Sequence, residues 1–466
     1  MSSHSEKGDP PAFLERDQSG AATAEYIWEP NNIVKVQHAV QKPQQAIGYI
    51  QNLVNIFLPA GYPKSVTDDY LEYQVYDSLQ AFSSSIAGLL SSRAVLQAVG
   101  FEDSGASTTA AILLNILQDS IGRIATILFA HRLGSSLEPE CKRFRFAADI
   151  FNDSALIFDC LSPVFPKAIR VMLLCTAGTL RALCGVAGGG SKAQLSVHFA
   201  KWGNVAELNA KDSSQETVIS LMGMLAGSLV ISSVTSKAAT WTTMLLLIAI
   251  HLWTNYRAVK AVTMVTLNRQ RANLVMSTFA ETGVILTPKD VARRERIFER
   301  DGVLRWYNGE KLGWAVIGTK LSTIITQTTA VGENLSLSDA AKACLTEHYI
   351  VWLGNSRGSS RGGGLRDAQV RICLESGCTP ASQLKAWMHG LLSAKTLSNK
   401  RSRAVAASDA LQALVDAKCQ IDKTFDEFLK RLAEAGWNPE DPQLETSPGY
   451  RYERTEATRV AGRNGH

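Results

Sequence analysis

Apolar positions fall three and four residues apart through the first two thirds of the chain, then give way near residue 287 to short β-branched and aromatic runs. The first spacing is that of one helix face and the second that of strands. Residues 43–58, PQQAIGYIQNLVNIFL, predict a helix stopped by Pro59, Gly61 and Pro63. A second helix is expected from Thr67, a suitable N-cap with Asp68 and Asp69 in its first turn, to Val99, with a break near Ser78. Its small residues Ser84, Gly88, Ser91 and Ser92 would let a neighbouring helix approach closely.

After a turn at 100–107, residues 110–130 and about 142–156 predict two further helices, each apolar but for one stripe. Asn115, Asp119 and Arg123 recur at i, i+4 and i+8 on the first; Arg145, Asp149 and Asp153, with Asn152 beside them, mark the second. In a bilayer or a dry bundle such stripes point inward, which would let the two helices face each other and Asp119 and Arg123 neutralise each other. Structural ion pairs or a solvated face are one reading of them, and a ligand or ion path is the other.

Pro163 and Pro166 break the chain before the apolar stretch 168–183. Residues 185–217, GVAGGGSKAQLSVHFAKWGNVAELNAKDSSQET, are then densely polar and glycine-rich between the most apolar segments, and are expected to be the functional centre. Gly190-Ser191-Lys192 has the wrong order for a Walker A loop, which needs Gly-Lys-Ser/Thr after a strand. The glycines are read as a helix break or as close backbone packing. His198 reads as a hydrogen-bonded structural residue or a ligand, and Glu207 with Lys211 as an i, i+4 pair. Ser213 to Glu216 has the capping-box form, predicting a helix start with Lys211, Asp212 and Glu216 at its mouth.

Two uncharged runs follow, 218–236 and 238–256, each close to the roughly 20 residues that cross a hydrocarbon core. Gly223 and Gly227 make a GxxxG step, Trp241, Trp253 and Tyr256 resemble interfacial belts, and Arg257, Lys260, Arg269 and Arg271 form a basic flank. His251 and Asn255 are the polar residues of the second run. A buried helical core is the alternative. Beyond Thr287 come a mixed-charge helix around Arg293 to Arg300, strands at WAVIGTKL, HYIVWLG and AQVRICLE, a basic loop at 355–367, and helices near 380–392 and 404–435. The last is capped by Gly436.

The hydrophobic fraction of 45% and charged fraction of 20% are ordinary globular values, so the membrane reading rests on where the apolar residues lie, not on how many there are. A net charge of +5 is dispersed rather than striped with aromatics, which argues against nucleic acid. The eight cysteines contain no CxxC pair and read as reduced core residues. The first 25 residues hold acidic residues and no apolar core, so no secretory signal is expected.

Several passages, in consistent order over about 45–285, resemble the root UVB sensitive (RUS) family. They are FLPAGYP at 57–63, DYLEYQ at 69–74 leading to DSLQA at 77–81, ILFA at 127–130, ADIFND at 148–153, GVAGG at 185–189, HFA at 198–200 and AKDSSQET at 210–217. His251-Leu252, Asn255-Tyr256 and Ala258-Val259 close the set, and Ala435-Gly436-Trp437 carries a looser likeness near the C-terminus. Two places depart from the family pattern, Phe101-Glu102 and Asp119 to Arg123. The resemblance implies a mainly helical, membrane-associated protein of undefined molecular activity. Plant members are linked to ultraviolet-B responses, seedling development, auxin transport and pyridoxal phosphate homeostasis. It carries over no catalytic residue.

Together these readings predict a mainly α protein: a multi-helix membrane-associated bundle followed by a smaller soluble α+β domain. The expected divisions are a disordered 1–25, a helical domain at 26–286, the α+β domain at 287–450 and a tail at 451–466. The expected function is binding or moving a small polar ligand with Asp119, Arg123, Asp149, Asn152, Asp153, His198, Lys211, Asp212, Glu216, His251 and Asn255. A non-enzymatic membrane scaffold recruiting partners through the C-terminal domain is the first alternative. The second is a soluble helical enzyme with His198 as base, for which spacing identifies neither a nucleophile nor an orienting carboxylate. No enzymatic activity, cofactor or metal is expected. Partners are a membrane and, by association, family members or the chain itself; the location is an intracellular membrane of unspecified organelle.

Overall fold

A computed structural model describes residues 13–16, 22–29, 32–36, 57–99, 108–330, 335–355, 368–399 and 406–454. Most of the helix expected at 43–58, the turn at 100–107 and most of the loop at 355–367 lie outside these. The described residues are mainly helical and form two compact units, each assembled from separate stretches of chain. The first comprises Met1–Leu114, Asp153–Ala177 and Lys192–Ala258; the second comprises Asn115–Asn152, Gly178–Ser191 and Val259–His466.

The N-terminal stretch carries structure where disorder was expected through residue 25. Strands β1 (Phe13–Arg16), β2 (Ala22–Glu29) and β3 (Asn32–Val36) form an antiparallel meander, with Tyr26 donating to Glu15 Oε2 at 3.0 Å. Six long helices follow: α1 (Tyr70–Val99), α2 (Thr108–Leu133), α3 (Cys141–Leu161), α4 (Lys167–Phe199), α5 (Val205–Ser233) and α6 (Lys237–Ala261). Helix α1 runs without the break expected near Ser78.

Close packing in the first unit depends on small residues. A Cβ at Gly223 would sit 2.7 Å from Ser85 Cβ and 2.9 Å from the Phe82 carbonyl, and one at Gly227 would sit 2.7 Å from Leu89 Cδ1. The GxxxG step therefore brings α5 against α1. A core of Ala87, Leu90, Leu156, Met244 and Ile248 fills the remaining space between helices. At the entry to α1, Val66 bridges Ala200, Thr67 N donates to Phe199 O at 3.1 Å, and the Phe199 ring packs on Tyr70 and Tyr73.

Of the two readings of the glycines at 188–190, close packing holds and the break does not, and the helix start expected at Ser213 is absent. Helix α4 runs straight through Gly188, Gly189 and Gly190, and within the second unit Gly190 lies so close to Leu137 that a Cβ would approach Cδ1 to 2.7 Å. Close packing, rather than a break, accounts for that glycine; helical glycine otherwise costs about 1 kcal/mol. Helix α5 begins at Val205, behind Asn204, so Ser213 is interior to it and its carbonyl accepts from Thr217 Oγ1. The capping-box spacing at Ser213 was a coincidence of sequence, overridden by helix that starts two turns earlier.

The candidate spans shift likewise. Among the described residues three helices are long and apolar enough to cross a membrane by length and composition: Ile112–Ser136, Lys167–Phe199 and Val205–Ser233. The expected run 218–236 falls largely within the third. The run 238–256, on α6, does not qualify, because His251, Asn255 and its threonines lower its hydropathy.

The C-terminal part of the second unit is α+β. After β4 (Thr266–Asn268), α7 (Arg269–Thr282) and α8 (Pro288–Arg294), a mixed sheet is built from β5 (Val303–Arg305), β6 (Lys311–Ile317), β7 (Tyr349–Asn355), β8 (Ala368–Glu375) and β10 (Arg451–Tyr452). Strand β8 pairs antiparallel with β7 and parallel with β6 and, at its end, β10. Strand β9 (Asn438–Gln443) pairs with β4. Between the strands lie α9 (Leu321–Ala330), α10 (Leu337–Ala343), α11 (Pro380–Asn399) and α12 (Ala407–Glu434). Helix α11 packs on the sheet through Gly390, which meets Val370. Helix α12 buries Ala410, Leu414, Ala417, Ile421, Phe425, Phe428 and Leu432 at helical spacing and ends at Gly436, φ +92°. The mixed-charge helix expected around Arg293 to Arg300 does not form: α8 stops at Arg294, and residues 295–300 are not helical.

Candidate functional site

Tyr73, Asp77, Gln80, Ser84 and Ser91 follow the i, i+4, i+7 spacing of one face of α1, and all but Ser84 are buried. Side chains buried among apolar helices are costly unless hydrogen-bonded or paired. Within the first unit the neighbouring helices supply the partners. Asp69, just before α1, holds His198 of α4 at 2.9 Å. Gln74 donates to Asp212 Oδ1 at 3.0 Å, and Lys192 bonds both Asp212 Oδ2 and Glu216 Oε2 at 2.7 Å. Farther along, Tyr73 donates to Asp77 and Ser91 donates to Asp159 Oδ2 at 2.7 Å.

A second buried pair joins α3 to α6, where His251 Nδ1 lies 2.8 Å from the Asp153 carboxylate with both side chains almost fully enclosed. Asn255, one turn beyond, is completely buried. Arg93 closes the far end of α1, donating to the Ile231 and Val234 carbonyls and to Thr240 Oγ1. These carbonyls end α5, so the guanidinium supplies the cation that a helix C-terminus favours. The result is a polar seam along α1. It is closed: the space among Tyr73, Lys192, Phe199 and Asp212 is about 10 Å³, room for roughly one water.

The expected site residues separate. His198, Asp212, Glu216, Asp153, His251 and Asn255 belong to the first unit and enter the seam or the pair beside it. Lys211 lies one residue from Asp212, half-buried on α5, and Glu207 accepts from the Ala60 N–H at 2.6 Å. Asp149 is buried and Asn152 half-buried on the part of α3 assigned to the second unit. Asn115, Asp119 and Arg123 are exposed on α2, and Asp119 and Arg123 make no ion pair with each other, so the proposed mutual neutralisation and inward-facing stripe do not occur. Sequence reasoning missed Gln74, Asp77, Gln80 and Asp159. The signal for the first three was available in the helical spacing of polar positions after Tyr73.

Among the described residues no group of three His, Cys, Asp or Glu side chains is placed to hold a metal. In the second unit, Glu295 is fully buried with Lys142 and Arg271 against it; these cations outweigh burial and hold its carboxyl below the usual range. That cluster braces the helix ends, with Lys142 also donating to the Val262 carbonyl.

Long apolar helices with buried charge pairs, carried on the same chain as an α+β C-terminal region, define a mainly helical protein suited by composition to a membrane. Residues 43–283 match a family model described as the vitamin B6 photo-protection and homoeostasis domain, and residues 285–448 match the root UVB sensitive protein C-terminal model. The chain belongs to the root UVB sensitive family. It is 30% identical to protein root UVB sensitive 3 of Arabidopsis thaliana over 406 residues, 86% of each chain. It is 41% identical over 254 residues to RUS family member 1 of Dictyostelium discoideum, covering 54% of this chain and about half, 48%, of that relative. Protein root UVB sensitive 5 of Arabidopsis thaliana is 26% identical over 85% of this chain and 76% of its own length. No solved structure matches.

Proposed function

We propose that this chain is an integral membrane protein that binds or moves a small polar solute along the seam on α1. The observation that carries this reading is a buried polar face running most of the length of α1, among helices whose outward positions are apolar. Leu221, Leu225 and Leu229 on α5, and Leu246 and Trp253 on α6, are each more than half exposed. A helix of 30 residues is about 45 Å long, more than the roughly 30 Å of a hydrocarbon core. A purely structural bundle would save energy by replacing these pairs with apolar side chains, since buried ion pairs seldom add stability.

The printed name of the family model makes vitamin B6 vitamers, small and polar, the first solutes to test. Passage requires the Lys192–Asp212 and Asp69–His198 pairs to part, so these are the residues placed to meet the solute. The experiment is uptake of labelled pyridoxine and pyridoxal into proteoliposomes holding the full chain, with Lys192→Met and Asp212→Asn alongside. Uptake above empty liposomes, lost in both variants, is expected. Release of the chain by alkaline carbonate would sink the membrane part, and uptake untouched by either variant would sink the seam.

A further inference from the structure

The second unit holds a cavity of about 560 Å³, inside the roughly 300–1,000 Å³ range of small-molecule sites. None of the site residues expected from sequence lines it. Four arginines do: Arg132 from the end of α2, Arg143 from α3, Arg269 from the start of α7 and Arg371 from β8. They come from four separate elements, so no local charge run announced them.

Two carboxylates, Glu140 and Asp301, stand against those four cations. Asp301 is engaged: it accepts from Arg269 Nη1 at 2.6 Å and from Thr446 Oγ1 at 3.2 Å, while Arg269 Nε donates to the Leu444 carbonyl at 2.6 Å. These bonds set Arg269 rigidly at the wall. Arg371 is oriented by its Nε bond to Gln327 at 3.0 Å. Arg132 and Arg143 form no salt bridge among the described residues; the Arg143 guanidinium lies 5.7 Å from the centre of the Phe144 ring. Burial raises Glu140 to about 7, which further reduces the negative charge facing the cavity near neutral pH.

A concave space with a surplus of guanidinium groups is complementary to a doubly charged oxyanion, which accepts bidentate hydrogen bonds from planar arginine forks. Phe144 and Trp314 provide an apolar wall for an organic portion. We infer that this cavity is a binding site for a small phosphorylated organic molecule, separate from the seam and independent of what the seam does.

The test uses the full chain in detergent with pyrophosphate and sulfate as probes, citrate as the carboxylate comparison, and ionic strength held constant. Calorimetric titration is expected to show saturable binding of pyrophosphate. Arg132→Ala with Arg143→Ala should weaken it at least about tenfold, the loss of one or two charge-assisted hydrogen bonds. Arg293→Ala, an exposed arginine of α8 outside the cavity, should leave it within about twofold, as should Lys192→Met in the seam. If the double variant does not fold, Arg132→Ala alone carries the test, because Arg132 is exposed and has no salt bridge to lose. No saturable binding of pyrophosphate or sulfate, or an equal loss in Arg293→Ala, overturns the site. Tighter binding of citrate than of pyrophosphate overturns the phosphate assignment. Neither result bears on uptake through the seam.

Discussion

On α5 of the first unit, Leu221, Leu225 and Leu229 face outward while Asp212 and Gln215 are buried. On α12 of the second, Ala413, Leu414, Phe425 and Phe428 are buried while Asp416, Lys423, Asp426 and Lys430 are exposed. The two helices are of similar length and use their faces in opposite senses. A helix in water earns stability by hiding its apolar stripe. A helix in lipid has no such drive and instead must satisfy its polar groups internally. The inversion is what the membrane placement proposed above for the first unit would require.

The largest expected effect tests the water-facing side of this contrast. Trp387 on α11 is fully buried and donates through Nε1 to Asn273 Oδ1 at 2.9 Å. Trp387→Ala removes an aromatic side chain from the core and leaves that acceptor without its donor, at a cost of about 3–5 kcal/mol. Denaturant unfolding followed by tryptophan fluorescence measures it. A loss below about 1 kcal/mol would mean that the sheet is not held by this core.

Next comes a matched pair of surface substitutions. Leu225 on α5 is 62% exposed and Val415 on α12 is 46% exposed. Lysine at the middle of a membrane helix costs about 3 kcal/mol on insertion scales, whereas a surface change in water stays within about 0.5 kcal/mol. Leu225→Lys should therefore reduce retention in carbonate-washed membranes, and Val415→Lys should leave it unchanged. Equal and small effects would remove the distinction between the two surfaces.

A third prediction concerns pH. His389 on α11 is completely buried with Nε2 donating to the Leu414 carbonyl at 2.9 Å, and burial lowers its imidazole from 6.5 to about 4. The unfolded chain takes up a proton below about pH 6.5 that the folded one refuses until about pH 4. Stability from this group is thus complete above pH 6.5 and declines as pH falls, by up to about 3 kcal/mol. His389→Gln should flatten the slope between pH 6.5 and 4. An unchanged slope would assign acid sensitivity to other groups.

Local pattern made parts of the α+β region legible: β7 and β8 coincide with HYIVWLG and AQVRICLE and Gly436 ends α12 with positive φ, whereas WAVIGTKL meets β6 only at 314–317 and α9 and α10 were not anticipated. The long helices were legible as elements but not in their limits. The glycines at 188–190 allowed either a stop or close packing, and the fit of Gly190 against Leu137 decides for packing; the Ser213 capping pattern is a local signal for a start, overridden by a helix that begins at Val205. The seam was legible in half. His198, Asp212 and His251 stood out as polar residues in apolar surroundings, but their partners lie far away in sequence: Asp69 is 129 residues from His198 and Asp153 is 98 from His251. The arginine cavity was not legible, because its four cations come from four elements with no shared period.

The smallest expected effect isolates the place where inference from spacing went wrong. Asp119 and Arg123 are four residues apart on α2, the spacing of a helical ion pair, yet both are exposed and neither has a partner among the described residues. With no interaction to lose, Asp119→Asn and Arg123→Gln, singly or together, should cost no more than about 0.5 kcal/mol, and because they lie on a candidate span the loss of an unpaired charge is not expected to destabilise. Asp153→Asn is the control, since it removes the charge that His251 faces in a nearly closed site and belongs with the large effects. Thermal unfolding of all variants in one detergent makes the comparison. A loss of about 2 kcal/mol in the Asp119 and Arg123 variants would show that another chain supplies their missing partners, and α2 would then be an interface rather than an outer face.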